Sequence, residues 1–378
     1  MAKMNKKKII KLCVKLGIAG VIITCVLLAK PKAEPKFDIL PQNAITVEDD
    51  NYIGQPYQTR EGCGICQADD GGYYIKDGSA IYLYDNELNN KTLILDDSSL
   101  GDYIYGYEGN VYAFQQADNK VNVVSINSTG CTKLFEVGDY SEDTFHKWRF
   151  ARQGDYIYVC NSAPSDCIKL YRCQIGSNDK ETIATFNGTD AYFSDIKAYG
   201  NYIFYSVSGD TTQSHSSMQI SNIYAYNCQS GTTMIAPITS GMYENLAIQL
   251  SSDLLWGYDS YNDSLICSYM DDTAYASDSN NNQTFASTSF FVERNTGDDS
   301  YVMAISDYIL AVIHVDDSKK IYVGRITGGY PILLQYIDIP EDEDILFAND
   351  NYIFFSSGKV IKSSELSKAT YNDAYLFD

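Results

Sequence analysis

The chain has 378 residues, 45% of them hydrophobic, and a formal charge of −21 from 49 acidic and 28 basic side chains, which is enough apolar material for one or two folded domains. Residues 1–37 run against the average, with nine lysines and Glu34 as the single acid, so the other 341 residues carry 48 acids and 19 bases, a net −29. That field repels a phosphate backbone and argues against nucleic acid as a partner. Three histidines beside 33 tyrosines give little material for a histidine metal site, and no cofactor is expected.

Residues 1–8 form a basic tail, and the run from Leu16 to Ala29 holds no charge. Counted from Ile9, the apolar stretch is long enough for a transmembrane helix over 9–29 if Lys11 and Lys15 snorkel to the headgroups. Leu27 and Pro31 spoil the small-x-small sites before Ala29 and Ala33, so an uncleaved signal anchor is expected ahead of a cleaved signal. A lipid-anchored Cys25 is the remaining alternative, disfavoured by Thr24 before it. Six lysines precede the run and three follow it, which places the N-terminus in the cytoplasm and everything after Lys30 outside. Residues 30–42 hold three of the eight prolines and read as a stiff linker to an exported domain over 43–378.

Along that domain one pattern recurs: an apolar-aromatic strand, a turn rich in Asp, Asn, Ser and Gly, and a second strand of the form Ile-Tyr-x-Tyr. Copies begin at Gly71, Gly109, Gly154, Gly200, Ser252, Ser306 and Asn349. Aliphatic and aromatic residues alternate in Ile81-Tyr82-Leu83-Tyr84 and Tyr156-Ile157-Tyr158-Val159, a period of two that means strand. Both faces of these strands are apolar, so both must be buried. Further short runs flank each hairpin, before it at Asp195 to Tyr199, Tyr301 to Ser306 and Ile345 to Ala348, and after it at Thr92 to Leu95, Thr182 to Phe186 and Pro331 to Ile337. Four strands per unit predict an all-β, seven-bladed β-propeller, with six blades as the alternative because the copy from Ser252 is irregular and an Asn/Ser-rich insertion, Asp278 to Gln283, follows it. Asn43 to Val47 or Ala374 to Phe377 would supply the outer strand that closes the ring.

The stretches YYIKDGSAIYLYD, YIFYS, LLWGYD and YIFFSSGKVIKSS resemble the YWTD-type propellers of lipoprotein-receptor ectodomains and related bacterial extracytoplasmic propellers of unassigned function. The resemblance covers about residues 64 to 378 and departs from the receptor type in blade number and in lacking a strict Tyr-Trp-Thr-Asp. The bacterial relatives imply a surface-anchored interaction module, and no receptor ligand is carried over.

Candidate chemistry is sparse. Cys63 and Cys66 have the Cys-x-x-Cys spacing of a disulfide, a redox pair or half a zinc site, with two unpaired thiols as the bland reading. Cys160 and Cys167 flank one hairpin and are candidates for a cross-strand bridge, against buried thiols that need no partner. Asp195, Glu244 and Asp344 fall at the starts of inner strands, where a propeller hydrolase would place carboxylates; His146, His215 and His314 lie in unrelated contexts with no G-x-S-x-G motif. The long connection Gly138 to Trp148 puts Tyr140, Phe145, His146 and Trp148 on or near one rim and is the expected ligand-binding surface, with blade core as the favoured reading for Trp148 itself. The reading is a binding or interaction module for protein, peptide or glycan, not an enzyme, with an envelope scaffold or a hydrolase as alternatives. Turn residues such as Asp118 and Asn262 are expected to tolerate alanine at under about 0.5 kcal/mol.

Overall fold

All seven repeated hairpins are pairs of adjacent antiparallel strands. The computed structural model describes residues 58–59, 63–107, 109–177, 179–208, 222–235, 243–249, 254–259, 264–269, 300–305, 308–315, 318–327, 330–369 and 375–376. All belong to one compact unit, Phe37–Asp378. The expected anchor (9–29), the linker, Asn43 to Val47 and the 278–283 insertion lie outside the described residues. Among those described, no helix is long and apolar enough to cross a membrane.

The first sheet is β2 (Ile65–Gln67), β3 (Tyr73–Asp77), β4 (Ala80–Tyr84) and β5 (Lys91–Asp96), in that order. The second repeats the meander with β6 (Leu100–Tyr107), β7 (Asn110–Ala117), β8 (Lys120–Asn127) and β9 (Gly130–Asp139). The third has seven strands: β10 (Trp148–Gln153), β11 (Tyr156–Asn161), β12 (Ser165–Gln174), β13 (Lys180–Tyr199), β14 (Tyr202–Ser208), β15 (Asn222–Asn227) and β16 (Thr232–Ile235). Its long β13 serves two partners, since Lys180 to Asn187 pairs with β12 and Tyr192 to Tyr199 with β14. Three strands follow as β17 (Tyr243–Gln249), β18 (Leu254–Asp259) and β19 (Ser264–Tyr269), then four as β20 (Tyr301–Ile305), β21 (Tyr308–Val315), β22 (Ser318–Thr327) and β23 (Tyr330–Ile339). The last sheet runs β1 (Gln58–Thr59), β24 (Ile345–Ala348), β25 (Tyr352–Phe355), β26 (Lys359–Lys362) and β27 (Tyr375–Leu376).

The doubly apolar strands are buried on both faces, as their pattern requires. Every residue of β14 and of β20 is buried, and Tyr205 stacks on Tyr224 at 5.4 Å with both rings inaccessible. The last strands of the first two sheets are the more open ones: β5 is exposed or half-buried throughout, and β9 is mostly so. Gly106 on β6 shows how closely neighbouring sheets approach: a Cβ there would overlap the carbonyl oxygen of Gln67 on β2.

The first and last sheets share one core. Ile65, Cys66 and Tyr73 pack with Phe347, Phe354 and Val360, and the Tyr73 ring meets Phe347 edge-on at 5.9 Å. Of the two closing strands foreseen, Tyr375–Leu376 pairs with β26. The pairing of Gln58–Thr59 with the opposite edge, on β24, was not foreseen, because two residues carry no readable period. The expectation for Asp118 is also corrected. Asp118 and Asn119 have φ of 50° and 58°, the left-handed pair of a tight β7–β8 hairpin turn, where alanine is strained. Asn262 lies outside the described residues.

Candidate functional site

The connection after β9 is ordered by a short helix, α1 (Glu142–Phe145), which starts after the extended Ser141. Phe145 turns back onto the edge of the Tyr140 ring at 5.3 Å and covers Gly101 of β6, where a Cβ would sit 3.4 Å from the ring. Both aromatics are half-buried, whereas His146 is exposed. Trp148, the first residue of β10, joins the core between the second and third sheets, 9% exposed and 6.1 Å from the Phe114 ring. The structure therefore brings Tyr140 and Phe145 together, leaves His146 at the surface, and gives Trp148 mainly a packing role.

Trp148 nevertheless lines a cleft of about 510 Å³ with Thr144, Asn161, Pro164, Cys167, Lys169 and Tyr171, among others. Its far wall is the β11–β12 hairpin, tied by one contact to α1 and by another to Lys147 just after it. Asn161 Nδ2 donates to the Thr144 carbonyl at 3.3 Å, and the Ser162 amide donates to Lys147 O at 2.9 Å. Asn161 Oδ1 also accepts the Ala163 amide at 2.8 Å, which fixes the hairpin tip. The Tyr171 ring is backed by the Lys180 ammonium 4.6 Å from its centroid. The walls thus offer aromatic and prolyl surface with hydroxyl and amide groups between, and Lys169 is the one charged side chain in the lining. The rim expected from the sequence is the α1 side of this cleft; the hairpin side was not part of it, because Ala163, Pro164 and Ser165 read as an ordinary turn.

Cys63, Cys66, Cys131, Cys160, Cys167, Cys173 and Cys228 are free thiols. Cys63 and Cys66 are both fully buried, and burial pushes the Cys63 thiol up to about 12, against a backbone hydrogen bond with Ile65 and the charge of Lys197. Burial also lifts Cys66 well above the usual thiol range, with Cys63 adding to it. Neither has the low pKa of a redox pair. The Cys160–Cys167 bridge is not formed, because Val159 pairs with Tyr171, which sets Cys160 well out of register with Cys167. Cys160 is buried and Cys167 exposed.

The carboxylates raised as hydrolytic candidates are held in ion pairs. Asp195 lies 3.5 Å from Lys197 Nζ, and Asp344 accepts from Lys319 Nζ at 2.9 Å and Tyr301 OH at 3.3 Å. The side chain of Glu244 and all of His215 are outside the described residues. Asp195 belongs to a polar group on the leading parts of inner strands. Arg149 on β10 lies over the Tyr103 ring of β6 at 5.5 Å and donates to the carbonyls of His146 and Trp148 at 2.9 and 2.7 Å. Tyr103 OH donates to Phe150 O at 3.2 Å. Burial pushes the Tyr103 hydroxyl up against the positive charge of Arg149, with Asp195, Cys63 and Cys160 adding to the rise. Residues from β6, β10, β11, β13 and the turn before β2 thus share one electrostatic environment. Among the described residues, no group of three or more His, Cys, Asp or Glu is placed to hold a metal.

No protein-family model matches the chain, and no curated protein matches it. Solved structures do. The chain is similar to the tricorn protease, with a TM-score of 0.58 and 10% identity over 87% of this chain and 35% of that one. It is also similar to a structure from an analysis of two prolyl endopeptidases, with a TM-score of 0.50 and 11% identity over 83% of this chain and 48% of that one. A nidogen/laminin complex matches over 70% of this chain at 10% identity and a TM-score of 0.40. The chain spans about a third and about half the length of the two peptidases. The tricorn match is to a β-propeller protein, and repeated antiparallel meanders with a shared first–last core put this chain in the same fold class.

Proposed function

We propose that this protein is a membrane-anchored, extracytoplasmic seven-bladed propeller that binds peptide or glycan in the cleft between α1 and the β11–β12 hairpin. The observation that carries the binding reading is the lining of that cleft: Trp148, Tyr171 and Pro164 supply rigid apolar surface, and Thr144, Asn161 and Ser165 supply polar contacts. A glycosidase needs two carboxylates facing one substrate, whereas this lining presents none among the described residues. Seven blades rather than six are supported by β13, whose two halves end one meander and begin the next. The seven-stranded sheet then counts as two blades, and the core shared by Tyr73 and Phe347 joins the first blade to the last. The anchor and the outward placement rest on the charge-free run and the lysine bias of residues 1–36.

The test is a glycan array and an envelope pull-down with the fragment from Phe37 onward, each run beside a Tyr171→Ala/Pro164→Ala variant. Binding by the parent that the variant loses supports the cleft. Ligands bound equally by both would place the site elsewhere.

A further inference from the structure

Pairing between β11 and β12 stops at Val159 and Tyr171, although β11 runs on to Asn161 and β12 begins at Ser165. Beyond that point each strand keeps only its other neighbour. Cys160 and Asn161 pair with Arg149 and Trp148 of β10, and Cys167 to Leu170 pair with Asn187 to Ala184 of β13. The hairpin therefore opens into a fork, with one strand edge on each arm left unpaired among the described residues. The cleft lies in that fork, since Asn161, Ala163, Pro164, Ser165, Cys167 and Lys169 all line it.

Main-chain groups of successive residues in an antiparallel ladder point to alternate sides. On β11 the phase is fixed at both ends: the Ser162 amide donates to Lys147 O on the β10 side at 2.9 Å, and Asp155 O accepts the Ile175 amide on the β12 side at 2.7 Å. Asp155, Ile157, Val159 and Asn161 therefore turn their N–H and C=O groups toward β12. Counted back from Ile175, β12 turns those of Cys173, Tyr171, Lys169 and Cys167 toward β11. The extra residue at the register shift beside Tyr171, Ile183, is on β13 and leaves this count intact. Lys169 and Asn161 thus face one another where the next bonded pair would fall, and that pair is not formed. The main chain of Cys167 is met by a side chain instead. Ser165 Oγ accepts its amide at 3.3 Å and donates to its carbonyl at 3.4 Å, both longer than usual.

Two of the polar side chains in the lining are already engaged within the fold, Asn161 by Thr144 O and the Ala163 amide and Ser165 by Cys167. What the fork leaves open is main chain, with donors and acceptors at the spacing of a strand. An extended peptide carries the complementary repeat, whereas a glycan presents hydroxyls without it. We infer that the cleft takes an extended peptide, which adds to the free edge of β12 by exchanging hydrogen bonds with the main chain of Lys169 and replacing Ser165 Oγ at that of Cys167. This rests on the binding role of the cleft and narrows it from peptide or glycan to peptide.

The test screens the full chain in detergent on an array of acetylated, amidated hexapeptides, beside the Tyr171→Ala/Pro164→Ala variant. The best binder is then remade with a single N-methyl group at each position in turn, a scan that uses the unaltered protein. Binding is expected to be lost in the variant, and affinity to fall about tenfold for N-methylation at alternate residues and little at those between. The bound peptide should also slow hydrogen exchange at the Lys169 amide. A methyl scan without that period of two, or Lys169 exchange unchanged by the peptide, would overturn strand addition. Peptide binding that survives in the variant would overturn both this inference and the cleft as the site. If no peptide binds, the inference fails, and glycans captured by the parent but not by the variant would then leave the cleft reading standing.

Discussion

Closure of the domain between its first and last sheets rests on a contact that can be measured directly. Asn349, 1% exposed, donates from Nδ2 to Tyr73 OH at 3.1 Å and to Gln67 Oε1 at 3.3 Å, bridging residues 276 apart in sequence. Its Oδ1 accepts the amides of Asn351 and Tyr352 at 3.0 and 2.8 Å, holding the turn into β25. Tyr73→Phe keeps the ring against Phe347 and Phe354 and removes one hydrogen bond, at a cost of about 1 kcal/mol, since Gln67 still satisfies the amide. Asn349→Ala removes all four hydrogen bonds and is expected to cost about 2 to 4 kcal/mol, the turn amides recovering part of their loss from water. In the Asn349→Ala background the Tyr73 hydroxyl has already lost the asparagine, so removing it costs less there and the two effects should fall short of additivity by about 1 kcal/mol. Denaturant unfolding of the four proteins gives the cycle. Additivity within about 0.3 kcal/mol would refute the closing contact, and an unclosed array of sheets would then explain the repeats better.

Tyr158→Ala removes a ring that is 1% exposed and should lower the stability of the domain by about 3 to 5 kcal/mol in the same assay; a loss under about 1 kcal/mol would contradict its place in the core. Asp118→Ala should cost about 1 kcal/mol because alanine is strained at φ 50°, while Asp118→Gly should be near neutral, and the reverse order would rule out the left-handed turn. Alkylation of the native protein at pH 8, followed by peptide mapping, should label exposed Cys131 and Cys167 well before Cys63, Cys66 and Cys160, whose thiols burial holds protonated. Early labelling of Cys63 would mean that the first sheet opens readily.

The strands were legible because their period is short and their composition extreme. The alternation in Tyr156 to Val159 and the doubly apolar β14 leave no helical alternative, and the turn residues between them mark each boundary. Tertiary pairing was less so. The double use of β13 is one case: Ala191 still pairs with Ser165 of β12 and Tyr192 already pairs with Ser208 of β14, so one strand joins two stretches that look separate in the sequence. The α1 rim was found from its aromatics, but the cleft needed the β11–β12 hairpin, whose Pro164 and Ser165 carry no distinguishing pattern. Arg149 was invisible for a different reason: its place over the Tyr103 ring comes from β10 and β6, on different sheets, meeting in space, and no spacing along the chain records that.

The distribution of charge bears on which ligands reach the cleft. Lys197 and Lys319, both at least 95% buried, are paired with Asp195 and Asp344, so neither offsets the acid excess of residues 38–378, a net −29. Lys169 is the single charged side chain of the cleft, and one exposed ammonium is not enough to reverse that field at the Debye length of physiological salt, about 8 Å. A neutral glycan would feel neither effect, whereas a basic peptide would be drawn toward the rim and an acidic one repelled. For any peptide captured by the cleft, adding two lysines outside the contacting segment should therefore raise the association rate at about 10 mM salt by several-fold. The gain should fade toward 150 mM, with dissociation little changed. Stopped-flow or surface-based kinetics at the two salt concentrations give the answer. A rate that ignores both peptide charge and salt would mean that the approach is governed by the local Lys169 surface, and the acidic envelope would have no part in selecting the ligand.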